Sequence, residues 1–184
     1  AYALAKSGSD WHEWRVREVA TGKDLADSVQ WSKFSGAAWL KDGSGFYYGR
    51  FDAPKAGDEL QAVNQNQRIY FHKVGTAQDA DHLVYERPDH PTWGFSPVVT
   101  DDGRYLLVYQ SEGTENKNRI FVQDLAAANA PLRPFLDAFD AHLAARPPAS
   151  VQKLYTTSTV LLRFGPAATL HTQVVATGAL DATG

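Results

Sequence analysis

Ala37-Ala38-Trp39-Leu40-Lys41-Asp42-Gly43-Ser44-Gly45-Phe46-Tyr47-Tyr48 is an apolar run, an Asp-Gly pair and a second apolar run. The arrangement returns as Pro97-Val98-Val99-Thr100-Asp101-Asp102-Gly103-Arg104-Tyr105-Leu106-Leu107-Val108-Tyr109. Asp-Gly supplies the positive φ values of a tight hairpin turn, so each copy reads as a β-hairpin. Between and after the hairpins come strands of alternating polarity that end in short polar turns: Trp14–Val19, Arg68–Val74 and Arg119–Leu125. A further strand follows the later two, at His82–Glu86 and at Leu132–Leu136. A hairpin plus two strands, repeated, is the sequence form of four-stranded propeller blades. An antiparallel sandwich of short strands fits the same pattern.

The polar stretches Gln61–Gln67 and Glu112–Asn118 lack apolar periodicity and read as loops, either solvated or lining a binding face. After them the composition changes. Residues 1–143 hold 15 of the 18 Lys and Arg and 20 of the 21 Asp and Glu, and all five Trp precede residue 94. Arg146-Pro147-Pro148 reads as a stiff connector. Ser150 is a good N-cap, Val151, Leu154, Tyr155, Leu161 and Leu162 share one helical face, and Gly165-Pro166 is a stop signal. Leu170–Val175 alternates weakly and reads as a strand. The expected class is therefore mainly β: a partial β-propeller over 1–143, then a segment of different origin over 144–184 with one helix and a short strand.

The 184 residues carry a net charge of −3, which argues against a nucleic-acid binder. No run approaches the ~18 apolar residues of a membrane span, and no secretory signal is visible, so a soluble protein of unassigned compartment is expected. With no Met at all, residue 1 is not an initiator, and a processed product or excised piece is expected. With no Cys, disulfides, thiolate metal sites and a Cys nucleophile are excluded. His12, His72, His82, His90, His142 and His171 form no zinc-type pair. Asp79–Asp81 and Asp101–Asp102 lack calcium-loop spacing and read as turns. No Gly-rich phosphate loop is present, so no cofactor is expected. Trp11, Trp14, Trp31, Trp39 and Trp93 sit inside strand patterns and read as blade core, with ligand stacking as the alternative.

Several motifs in order carry a family resemblance. Ser7-Gly8-Ser9-Asp10-Trp11, Trp31-Ser32-Lys33-Phe34-Ser35-Gly36-Ala37-Ala38-Trp39, Asp101–Tyr105, Asn118–Leu125 and Pro134–Asp140 resemble the prolyl oligopeptidase family over residues 1–142. The resemblance places this stretch in the family's N-terminal β-propeller, roughly two blades and the start of another. It implies serine peptidase chemistry after proline in short peptides. In that chemistry the propeller gates and filters substrates, while Ser, Asp and His belong to an α/β-hydrolase domain. No Gly-x-Ser-x-Gly elbow marks such a domain here. Short proline-containing peptides are thus expected as partners only through a missing hydrolase domain. Phe34 matches the family Phe that helps line the substrate pocket; a core aromatic between blades is the alternative. Blades left unclosed expose strand edges, which invite self-association.

Arg146–Thr157, with Leu162–Pro166 and Thr172–Gly178, resembles the nucleophile region of D-alanyl-D-alanine carboxypeptidases, the low-molecular-mass penicillin-binding proteins. That resemblance implies Ser150 as nucleophile and Lys153 as general base. Residues three apart share a helix face, which lets the amine approach the hydroxyl. The family's Ser/Tyr-x-Asn motif is absent, and Lys6-Ser7-Gly8 matches its third motif only formally. The alternative is a Ser150 that only caps a helix. Three readings stand at this point: a non-catalytic propeller portion of a proline-specific peptidase, an acyl-serine enzyme fragment, and a chimeric non-enzymatic product.

Overall fold

Both Asp-Gly repeats fold as antiparallel hairpins. The computed structural model describes residues 1–5, 9–55, 57–58, 63–115 and 117–140. Everything read for the segment from residue 144 onward, including the helix from Ser150, lies outside them.

Strands β1 (Tyr2–Ala5), β2 (His12–Arg17) and β3 (Asp24–Ser32) form a three-stranded sheet. Strands β4 (Ala38–Trp39), β5 (Gly45–Arg50), β6 (Arg68–Lys73) and β7 (His82–Tyr85) form a four-stranded meander. Strands β8 (Trp93–Val99), β9 (Tyr105–Glu112), β10 (Lys117–Asp124) and β11 (Arg133–Asp140) form a second one. All pairings are antiparallel, with Ala38 opposite Tyr47 in one hairpin and Pro97 opposite Val108 in the other. These are the four-stranded blades of a partial β-propeller. The incomplete sheet precedes the two full meanders instead of following them. One 3-10 turn, Gln78–Ala80, is the only helical element among the described residues. Among those residues no helix is long and apolar enough to cross a membrane.

The turns differ in detail from the two-residue type. Only the glycine takes a positive φ, 71° at Gly43 and 73° at Gly103. In the first turn the Gly43 N–H donates to the Leu40 carbonyl at 3.0 Å and the Leu40 N–H to the Gly45 carbonyl at 2.9 Å. In the second, Gly103 donates to Thr100 at 2.7 Å and Thr100 to Tyr105 at 2.9 Å. Each is a turn closed by a left-handed glycine, the wider hairpin class. The aspartates do other work: Asp42 Oδ1 accepts the Ser44 N–H at 2.9 Å, and Asp102 Oδ1 accepts the Arg104 N–H at 3.0 Å. A side chain bonding the backbone two residues on holds the turn locally. The loop expected over Glu112–Asn118 is shorter than its polarity suggests, because β9 runs to Glu112 and β10 starts at Lys117. Backbone pairing carries polar residues at a hairpin's end without help from an apolar period.

Strand β5 explains how the sheets stack. Phe46 and Tyr48 point to one face and pack with Val16 and Val29 of the first sheet. Tyr47 points to the other face and joins Phe95, Leu106, Val108 and Phe121 of the second meander. Alternation along a strand sends neighbours to opposite faces, so a strand covered on both reads as an unbroken apolar run. Each such side chain, fully buried, contributes about 1.5–3 kcal/mol.

The junction between the first sheet and the first meander is partly polar. His72 of β6 is fully buried, with Nε2 3.0 Å from Asp27 Oδ1 of β3 and Nδ1 2.7 Å from Asp81 Oδ1. The Tyr48 hydroxyl donates to Asp81 Oδ2 at 2.6 Å, and the Gly75 N–H donates to Asp27 Oδ1 at 2.6 Å. Burial and the neighbouring Asp81 push the Tyr48 hydroxyl's pKa up. Burial alone would lower the pKa of His72, but its hydrogen bonds to Asp81 and Asp27 outweigh that and hold it above the ordinary imidazole value.

Candidate functional site

The segment leaving β3 carries two non-glycine residues in the left-handed region, Trp31 at φ 63° and Phe34 at φ 53°. Such a backbone costs about 1–3 kcal/mol and persists only where surroundings impose it. Here they do. The Trp31 carbonyl accepts the Phe51 N–H at 2.9 Å. Ser35 Oγ accepts the Gly49 N–H at 2.8 Å. Gln67, 2% exposed, donates from Nε2 to the Lys33 carbonyl at 3.0 Å and accepts the Phe95 N–H on Oε1 at 2.5 Å. One side chain thereby staples this segment to the first strand of the second meander. Lys33, only 7% exposed, lays its ammonium 4.1 Å from the centre of the Trp11 ring and donates to Asn64 Oδ1 at 3.2 Å. The desolvated cation is met by a π face and an amide oxygen instead of a carboxylate.

Held this way, Phe34 is 61% exposed and stands at a cavity of about 310 Å³. Phe51, Asn64, Gln67, Trp93 and Phe95 line the rest of it. Through Asn64 and Thr92 it shares walls with a more open groove of about 600 Å³, whose polar lining includes Glu112, Lys117 and Arg119. Trp93 is a fixed wall. His90 stacks on its ring at 3.8 Å, and the guanidinium groups of Arg87 and Arg119 lie 4.7 and 4.8 Å from its centre. Its Nε1–H donates to Glu112 Oε2 at 3.0 Å. Hydrogen bonds from Arg87 hold the Asp89 carboxyl down to about 2, so this pair stays charged through the neutral range. An apolar, aromatic hollow with a few amides and a charged rim is suited to a small, mostly apolar group with polar flanks.

Of the residues singled out from sequence, Phe34 lies at this cavity and outside the core. Ser150 and Lys153 lie outside the described residues. Sequence reasoning offered Gln61–Gln67 as a stretch, solvated or lining a binding face, and singled out neither Gln67 nor Asn64 nor Lys33. The one available signal was the amide-rich stretch Gln61–Gln67, which ends at the staple. Trp93, read as core, is both buried and a cavity wall.

A family model described as prolyl oligopeptidase, N-terminal beta-propeller domain, matches residues 1–153. A prolyl endopeptidase of Elizabethkingia meningoseptica is 35% identical over 143 residues, covering 78% of this chain and 20% of that protein. The dual function macrocyclase-peptidase POPB of Galerina marginata is 37% identical over 136 residues, covering 68% of this chain and 18% of that one. A solved prolyl endopeptidase superposes with a TM-score of 0.65 at 34% identity, over 75% of this chain and 19% of that structure. The chain spans about a fifth of the length of the curated relatives it matches. The carboxypeptidase resemblance gains no support from these matches, and the propeller family model itself runs through Ser150 and Lys153.

Proposed function

Because the chain belongs to the prolyl oligopeptidase family through its N-terminal β-propeller domain, we propose that it is a non-catalytic propeller portion of a proline-specific serine peptidase. It admits and selects short peptides for a hydrolase domain that these 184 residues do not carry. Phe34 is the apolar wall offered to a substrate side chain. The observation that carries this reading is the exposure of a large aromatic on a left-handed backbone, in a segment tied down on either side of it through the Lys33 carbonyl and Ser35 Oγ. An exposed Phe held in an unfavourable conformation does nothing for the core, and so points to a ligand. A pyrrolidine ring, compact and apolar, is a good partner for a hollow walled by Phe34, Phe51 and Trp93.

The test uses the 184-residue chain. Tryptophan fluorescence is followed while a short proline-containing peptide is added, with the same peptide carrying alanine for proline as control. Binding is expected for the proline peptide, weakened at least fivefold in Phe34→Asn, because Asn tolerates the left-handed backbone and removes only the ring. Equal affinity of the variant, or equal binding of the alanine peptide, overturns the role of Phe34. Hydrolysis of a Gly-Pro reporter by the chain alone contradicts the non-catalytic assignment.

A further inference from the structure

The buried junction around His72 raises a question of protons. Both ring nitrogens lie within hydrogen-bond distance of carboxylate oxygens, Asp81 at 2.7 Å and Asp27 at 3.0 Å. A neutral imidazole has one N–H, and an ionised carboxylate has none to give back. Asp81 is committed as an acceptor on both oxygens, from the ring on Oδ1 and from the Tyr48 hydroxyl on Oδ2. Asp27 Oδ1 already accepts the Gly75 N–H, and its Oδ2 is buried without a hydrogen-bond partner. Both ring contacts are hydrogen bonds when His72 carries both protons, and the charge on the ring then faces the otherwise unpartnered Asp27 carboxylate.

We propose that His72 is a proton-loaded latch: as an imidazolium between Asp81 of its own meander and Asp27 of β3, it tightens the first sheet onto the first meander, and loss of its proton loosens that sheet. Deprotonation breaks the ring's own hydrogen bond across the junction and leaves the Gly75 N–H bond to Asp27 in place. The shorter bond to Asp81 lies within the meander and keeps the remaining N–H on Nδ1. The Nε2 lone pair then faces Asp27 Oδ1, and an attraction becomes a repulsion in a site that excludes water.

The titratable groups facing His72 are Asp27 from β3, Tyr48 from β5 and Asp81 after the 3-10 turn. On its own strand Tyr70 shares its face, with Arg50 lying over that ring at 5.0 Å. Around the latch a second tie is insensitive to pH: the Gln78 side chain pairs with both backbone groups of Gln30, each at 3.0 Å. The first sheet therefore loosens, and its remaining ties persist.

The sign follows from linkage. A group whose folded pKa is raised contributes stability that is complete below its unfolded value and lost as pH climbs through the folded one. For His72 the loss runs upward from the ordinary imidazole value. The device is thus closed below the ordinary imidazole value and opens as pH climbs above it.

The test is imidazole 15N NMR on the intact 184-residue chain, together with amide exchange of β3 measured against β9 across pH 6–10. At pH 6 the ring is expected to show two protonated nitrogens. As the second proton leaves, β3 exchange should rise at least tenfold relative to β9, a ratio that removes the common base catalysis of exchange. Asp27→Asn should abolish that pH-dependent excess. A single ring N–H at pH 6, or β3 and β9 exchanging in constant ratio throughout, overturns the latch. The measurement on the unsubstituted chain decides the matter if the variant does not fold.

Discussion

Gln67 shows how much one buried amide can organise. It joins the Lys33 carbonyl, just past the end of β3, to the Phe95 N–H of β8. Replacing it with Leu keeps the volume and strands both groups. The expected cost is about 1–3 kcal/mol for each buried group left unpaired. Urea denaturation should show a lower midpoint with an unchanged slope. Gly49 lies against the same staple. A methyl there would sit 2.6 Å from Gln67 Nε2 and 2.8 Å from Ser35 Cβ. Gly49→Ala is expected to lower the thermal midpoint by an amount equivalent to about 1–3 kcal/mol, the usual cost of overpacking. It should also weaken peptide binding, since the displaced groups are those that prop Phe34.

The two Asp-Gly turns are a matched pair at the level of the hairpin, and their difference isolates packing from backbone strain. Gly43 and Gly103 have nearly the same φ, 71° and 73°. An added methyl meets nothing within 4 Å at Gly43, but lies 2.8 Å from Lys41 Cβ at Gly103. Gly43→Ala should cost about 1 kcal/mol, the strain of a side chain at positive φ. Gly103→Ala should cost measurably more, and the excess reports the packing between the two meanders' turns. Equal losses in calorimetry would mean that the turns do not touch. Asp42→Ala and Asp102→Ala each remove a side-chain bond to a turn N–H, and a loss of about 0.5–1.5 kcal/mol apiece is expected.

For the molecule as a whole, burial predicts a hierarchy of opening. Strands β5 and β9 are central in their sheets and bury consecutive residues, Phe46–Tyr48 and Leu106–Val108. Strand β1 lies at an edge and is largely exposed. Local openings draw on the least buried parts first. Near neutral pH, amide exchange should be slowest in β5 and β9 and fastest in β1, with β3 between them. Protection of β1 equal to that of β5 would show that something else covers the edge. This order also fits a scaffold in which the meanders hold the cavity still while the first sheet adjusts.

The meanders were legible in advance because their signals are local: turn residues at a fixed offset, and strands such as β5 whose inward positions on both faces are apolar. Strand β3 was not, since its inward positions include Asp27 and Ser32, and no apolar period marks it. Asp27 is tolerated there because His72, 45 residues later, and the Gly75 N–H come from the first meander to pair with it. The same holds for the site. Phe34 could be picked out by resemblance, but its exposure depends on Gln67, 34 residues beyond Lys33. Local chemistry chooses strand and turn through contacts within a few residues. Which polar groups survive burial is settled by partners that only chain folding brings within about 3 Å, and no pattern along the chain encodes those distances.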